Sequence, residues 1–461
     1  MRNSRTFLFI AAGLVMAAPA GAQQIDSAQA KYPQPMVIQY TRPQDKRGLN
    51  MFETPKVAGA TYEGFKMTIG AAFTQQFQGL SHSNDADSVA VAAVNPSPGN
   101  AGTPASANRN RLIQIGHGFN NATANMILNA QLAPGIRVQM TSYLSSRHHN
   151  ETWVKDGFIQ IDESPFDVPL FNNLMKYTTV KIGHFEVNYG DFHFKRSDNG
   201  QAIYNPFVGN AIMDAFTTEV GAEAVVQRNG FLFVGATTNG EIRGQLARPD
   251  DRDPAHMVKL GYDKQLNADL RVRLTGSWRR QRSAISNTIY GGDRAGSRYY
   301  YVLENYQATE AAQKSSGMID PGFSDEQTSI MVNPFVKFRG LEFFGMVEQA
   351  SGRRASETVK RDVSQNMVEL VYRFGRGESF FVGGRYNTFS GDLGVSGAGP
   401  TLQDNSDVTV NRTNIGGGWF LTPNLLLKAE YVTQTYDGFA RRDIRSNGKF
   451  NGFMLEAVTA W

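Results

Sequence analysis

From Phe65 to Trp461 the chain alternates with a period of two, and its connections are sorted by length. Phe65, Met67, Ile69, Ala71 and Phe73 interleave with Lys66, Thr68, Gly70, Ala72 and Thr74, which in a strand places one set on each face. The pattern then recurs in pairs. Residues 124–132 and 136–144 flank Ala133-Pro134-Gly135, 220–226 and 231–236 flank Arg228-Asn229-Gly230, and 258–262 and 270–278 flank a segment holding Asn267. Likewise 330–338 and 341–347 flank Arg339-Gly340, 368–374 and 380–386 flank Gly375-Arg376-Gly377, and 415–421 and 425–433 flank Thr422-Pro423-Asn424. These are residues that tight turns require. Weaker strands near Trp153–Ile161 and Thr178–Phe185 bracket a longer turn, and a last strand runs from about Phe450 to Trp461.

The long connections, roughly 79–120, 145–152, 189–216, 238–256, 281–327, 350–363, 388–406 and 436–448, all fall on the side opposite the tight turns. A soluble sandwich or propeller also alternates, but has no reason to sort its loops by length. Lipid offers no partner to an unpaired backbone group, so a sheet crosses a membrane only by closing on itself. The pattern predicts an all-β chain, a transmembrane antiparallel β-barrel of about sixteen strands with short periplasmic turns and long extracellular loops. A barrel of about that size is wide enough to hold water, so an open lumen is expected.

Composition fits this. With 41% hydrophobic residues, mean hydropathy is only -0.36, as expected where lipid-facing and lumen-facing positions alternate. The chain has no cysteine, so neither a disulfide framework nor a thiolate metal site is available. A net charge of +4 on this length gives no argument for nucleic acid. No cofactor is indicated.

Arg2 and Arg5 precede an apolar run from Phe7 to Ala18 and the triplet Ala20-Gly21-Ala22. That reads as a cleavable signal peptide over 1–22; an amphipathic N-terminal helix would not be apolar all round. Residues 23–62, with Pro33, Pro35, Pro43 and Pro55, show no clear period and read as a periplasmic N-terminal extension, leaving 63–461 for the barrel. The expected location is the outer membrane of a Gram-negative cell, in contact with its lipid.

If apolar positions face lipid, several of the alternate positions bring charge into the lumen. Arg271, Arg273 and Arg279 form a basic wall, and Glu342, Glu348 and Glu369 a nearby acidic one. Further inward positions are Lys66, Arg137, Lys181, Lys259, Lys337, Arg373, Arg385, Arg412 and Lys428, with Glu219, Glu223, Asp263, Glu430 and Glu456. Such charges either bias which solutes pass or pair with one another across strands and act on stability alone. The 189–216 connection, with Lys195, Arg196, Asp198 and Tyr204, is expected to fold inward as a constriction.

Other clusters carry less. Tyr299, Tyr300 and Tyr301 could stack on sugars or belong to an interfacial aromatic girdle. His148 and His149 are adjacent and on a strand would point apart, and Asp250, Asp251 and Asp253 read as a solvated charge run with Arg248 and Arg252. Neither indicates a metal. Ser145 and Ser146 are close to the histidines only in sequence, and no catalytic motif emerges.

Val180-Lys181-Ile182-Gly183-His184-Phe185-Glu186, followed by Asn188-Tyr189-Gly190, resembles the basic-x-Gly-x-Phe strand and following turn of the phosphate-selective porin family. The resemblance covers about a dozen residues and implies a sixteen-stranded, often trimeric porin, hence a possible homotrimer here. The basic ladder that phosphate selectivity would require is not evident. The last strand, with Phe453, Leu455, Ala457, Thr459 and Trp461 on one face, looks like the aromatic-ended signal read by barrel-assembly machinery, although it ends in Trp rather than the commoner Phe.

Together these observations imply a non-enzymatic porin for passive transport of small hydrophilic solutes or ions. The rival is an outer-membrane barrel with a plugged lumen that acts in binding or at the cell surface. An outer-membrane lipase or protease is the more distant alternative.

Overall fold

The computed structural model describes residues 37–89, 110–145, 152–240, 250, 252–284, 286–291, 297–396 and 403–461. The expected signal peptide, the start of the extension, Ser146, His148, His149, Arg248 and Asp251 lie outside these residues. Sixteen strands form one closed antiparallel wall. In chain order they are β1 Lys66–Ser83, β2 Thr123–Ala133, β3 Ile136–Leu144, β4 Trp153–Ile161, β5 Thr178–Glu186, β6 Thr218–Arg228, β7 Phe231–Thr238 and β8 Ala255–Gln265. They continue as β9 Leu270–Gln281, β10 Glu326–Phe338, β11 Leu341–Arg353, β12 Arg361–Phe374, β13 Phe380–Gly391, β14 Val408–Thr422, β15 Leu425–Asp437 and β16 Lys449–Ala460. Each strand pairs with its sequence neighbour, and β1 closes the ring against β16 from Ala72↔Ala460 to Ser83↔Lys449.

The expected hairpins form. Asn229 (φ 53°) and Gly230 (φ 91°) both take the left-handed conformation that a two-residue β6–β7 turn demands. Trp461 lies just beyond β16, where its N–H donates to Ala71 O at 2.9 Å and its carbonyl accepts from Ala71 N at 3.1 Å. The first and last strands are thus stitched at the turn end.

Strand β12 shows why this sheet belongs in lipid. Val368, Leu370, Tyr372 and Phe374 are exposed, whereas Gln365, Glu369 and Arg373 are buried, the inverse of a soluble protein. Around the turn end the exterior carries a ladder of stacked rings, Tyr372–Phe374–Phe380–Trp419, with centroids 5.8, 5.8 and 5.6 Å apart. Aromatic girdles of this kind mark the edge of the hydrocarbon band. The chain is an outer-membrane, multi-pass β-barrel.

Residues 38–56, N-terminal to the first strand, pack on the barrel and belong to its compact unit, Ile38–Trp461. The interior departs from an open bore: Gln160 on β4, Lys259 on β8, Asn333 on β10, Gln365 on β12, Asn414 on β14 and Gln434 on β15 each have 0% exposure. Segments inserted from loops and from the N-terminal side cover the wall.

Candidate functional site

The lumen is occupied mainly by the connection 187–217 between β5 and β6. Its own Arg196 is held against Asp214, with Nε donating at 3.1 and 3.0 Å, so the loop carries an internal clasp. Wall residues then grip its backbone. Arg385 donates to Gly209 O at 2.7 Å, Arg412 to Asn210 O at 2.6 Å, and Lys428 to the carbonyls of Ala202, Asn205 and Phe207 at 3.0–3.1 Å. On the loop's other edge, Val208 N donates to Glu430, Ile212 N to Asn387 and Met213 N to Gln365. Backbone groups that would otherwise be orphaned in a buried loop are satisfied by polar side chains of the wall.

Most of the sequence-derived lumen residues belong to this network or border it, whereas Lys66 pairs with the exposed Glu63 at 2.7 Å, outside it. Arg273 binds Asp191 through Nε and Nη2, both at 2.8 Å, and Glu53 through Nη1 at 2.8 Å and Nη2 at 3.0 Å. Arg271 binds Asp263 at 2.8 and 2.7 Å, and Arg279 binds Glu219 at 2.5 Å. The expected basic wall is therefore neutralised: each of its three cations faces a carboxylate. The acidic wall is largely neutralised in the same way. Glu342 lies 2.9 Å from Arg373 and 3.2 Å from Lys337, and Glu369 lies 3.0 Å from Lys195 and 2.7 Å from Arg385. Glu348 instead accepts a hydrogen bond from Tyr290 at 2.7 Å. Lys181 pairs with Glu223 at 3.1 Å, and Arg137 donates to Asn129 at 3.0 Å and Gln160 at 2.6 Å.

Among the proposed constriction residues, Lys195, Arg196 and Asp198 are buried inside the barrel. Lys155 of β4 pairs with Asp198 and lies 3.2 Å from Glu186. Tyr204 donates to Pro43 O, and its ring lies 3.7 Å beneath the Arg42 guanidinium. Burial holds the Tyr204 phenol at about 12, against a partial lowering by Arg42. Tyr299 and Tyr300 are neither girdle nor surface rings. They are buried within the barrel, where Tyr299 donates to Glu430 at 2.7 Å and Tyr300 to Asn121 O at 3.4 Å. Beside them Arg298 bonds Glu456 at 2.9 Å and Asn199 O at 3.1 Å.

Sequence reasoning missed the N-terminal contribution. At the turn-side mouth, Gln39 N donates to Gln131 on β2, Asn50 to Glu342 on β11, and Lys46 N to Pro423 O in the β14–β15 turn. Lys56 donates to Asp162 O at 2.6 Å, and Gln227 on β6 donates to Thr54 O at 3.0 Å. Phe52 packs edge-on against Phe335 and Phe194, 5.3 and 5.9 Å away. Residues 39–56 thus brace the mouth from several sides. The signal was hidden because the segment has no period and its partners are wall residues hundreds of positions away. A cavity of about 500 Å³ lies beside the brace, bordered by Asn50, Glu53, Lys56, Gln227, Asp263 and Arg271.

No family model and no curated protein matches this sequence. Among solved structures, an anion-selective porin from Comamonas acidovorans aligns over 86% of this chain and 100% of its own, with 10% identity and a TM-score of 0.48. OprB of Pseudomonas putida aligns over 86% and 94%, with 11% identity and a TM-score of 0.49. The outer membrane channel DcaP of Acinetobacter baumannii aligns over 87% and 99%, with 9% identity and a TM-score of 0.46.

Among the described residues, no group of three or more metal-ligating side chains is assembled. Asp250 and Asp253 are exposed.

Proposed function

We propose that this chain is a passive, non-enzymatic outer-membrane channel for small hydrophilic solutes or ions, with a route restricted by loop 187–217 and by the mouth brace. The observation that carries the reading is the ion-paired lumen: Arg273, Arg385, Lys428 and Arg412 hold the inserted loop largely through its carbonyls and carboxylates. Water can take over these polar grips once the loop moves, while Val208, Ile212 and Met213 of the same loop pack in an apolar cluster with the wall. In this reading Lys195, Arg196, Asp198 and Tyr204 shape the narrowest part. Arg271, Lys181 and Lys337, whose side chains keep 25%, 23% and 27% exposure, present charge to the passing solute. We extend the proposal to assembly as a homotrimer and to recognition of the strand ending at Trp461 by barrel-assembly machinery.

Planar-bilayer recording tests the channel. The mature chain is expected to give small stepwise currents, and a variant lacking residues 38–62 larger ones. Reversal potentials in a salt gradient then give the sign of selectivity.

The burial of wall residues around the ring favours a second reading, a plugged barrel used for binding. Silence from both the full chain and the deletion, with each folded and inserted, would favour that reading and overturn the channel.

A further inference from the structure

We infer that the short helix in the β4–β5 turn, α1 (Pro169–Met175), is a membrane-interface anchor that lies in the periplasmic leaflet. Every other turn-side connection is a few residues long, but this one spans 162–177. Its helix reads PLFNNLM and carries no ionised side chain. Leu170 is 72% exposed and Leu174 54%, while Phe166 and Phe171 stand 6.0 Å apart and are exposed as well. A periplasmic turn in water has no use for that much apolar surface.

The neighbouring wall indicates what covers it. At the turn end of the β3–β5 sector the wall is fully paired, Ile136↔Ile161 and Ile161↔Val180, so the connection 162–177 leaves directly from the foot of the lipid-facing sheet. Between β4 and β5 the outward strand side chains near this end are aliphatic, with Ile159 and Ile182 exposed. Elsewhere the girdle is built on strand ends by Phe374 and Trp419; here the rings Phe166, Phe171 and Tyr177 come from the turn. The helix thus continues the lipid-facing belt beyond the strand ends, which makes lipid its occupant.

The chain lacks cysteine, so single-cysteine labelling is clean. Leu170→Cys and Leu174→Cys, spin-labelled in the full barrel reconstituted into phosphatidylethanolamine/phosphatidylglycerol vesicles, would be compared with Ala268→Cys in the exposed β8–β9 turn. Collision with oxygen relative to a water-soluble nickel chelate is expected to be severalfold higher at 170 and 174 than at 268. A water-like ratio at both sites would overturn the anchor. Protection from both reagents would also overturn it and would assign the surface to a second copy of this chain. Heat-modifiable migration of each variant confirms that the barrel under test is folded.

Discussion

Arg273 of β9 and Asp191 at the root of the inserted loop form a two-bond pair, Nε to Oδ2 and Nη2 to Oδ1, both at 2.8 Å. Thr275 adds a third bond to the same carboxylate at 2.8 Å, and the Lys259 ammonium lies 3.2 Å from it. Removing one partner of a buried pair leaves the other desolvated and uncompensated, at a cost of about 3–5 kcal/mol. Asp191→Asn is expected to lower the unfolding temperature in detergent clearly. Arg271→Gln, whose partners are partly exposed, is expected to change it little. Equal shifts from the two substitutions would contradict the account.

Phe52 anchors the mouth brace between Phe194 and Phe335 at 3% exposure. Deleting a buried ring costs about 3 kcal/mol or more, which raises the undocked population by roughly a hundredfold. Phe52→Ala should therefore accelerate limited proteolysis within 38–58 while the unfolding temperature of the barrel stays nearly constant. In bilayers the same variant should flicker to larger conductance levels. A lowered unfolding temperature without faster cleavage would place Phe52 in the general core rather than in a separable brace.

The wall was legible in the sequence because lipid on one side and polar groups on the other impose a period of two, as in Val368 to Phe374. Contrast was lost where inserted segments supply an apolar interior. Val363, Val408, Val410 and Val432 are buried in one cluster with Val302, Ile319 and Phe323 of the β9–β10 connection, so apolar residues occur on both faces of those strands. The inward charges were identifiable one by one, but their partners were not. Glu219 on β6 meets Arg279 on β9 through the curvature of the closed wall, and Glu53 reaches Arg273 across 220 positions. Periodicity carries no information about either contact.

Gly200 lies where the inserted loop touches the seam of β1 and β2. Its carbonyl accepts from Thr74 at 2.7 Å, its N–H donates to Asn125 at 3.2 Å, and a Cβ would collide with Ala72 O and the Ala124 Cα. The obstacle is backbone, which cannot rotate away. Gly200→Val is expected to destabilise by about 1–3 kcal/mol or more, read as a lower unfolding temperature and faster cleavage within 187–217. Gly116→Val, where nothing lies within 4 Å of the added atom, is the control expected to behave as the parent.

In the outer β15–β16 connection, Asp443 accepts from Arg445 Nε at 2.9 Å, Nη2 at 2.7 Å and N at 2.9 Å, and from Asn405 at 2.9 Å. Burial pushes this carboxyl upward, but the Arg445 and Asn405 bonds outweigh it and hold its pKa below the ordinary value. A carboxylate depressed in the folded state contributes stability in full above its unfolded value of about 3.9, and loses it as pH falls through the lower folded value. Hydrogen exchange in 438–448 and at Asn405 should therefore show protection that is constant near neutrality and falls on acidification below about pH 4. Asp443→Asn should give weak protection at every pH, with no acid transition. A transition of the same size in that variant would transfer the effect to another carboxylate.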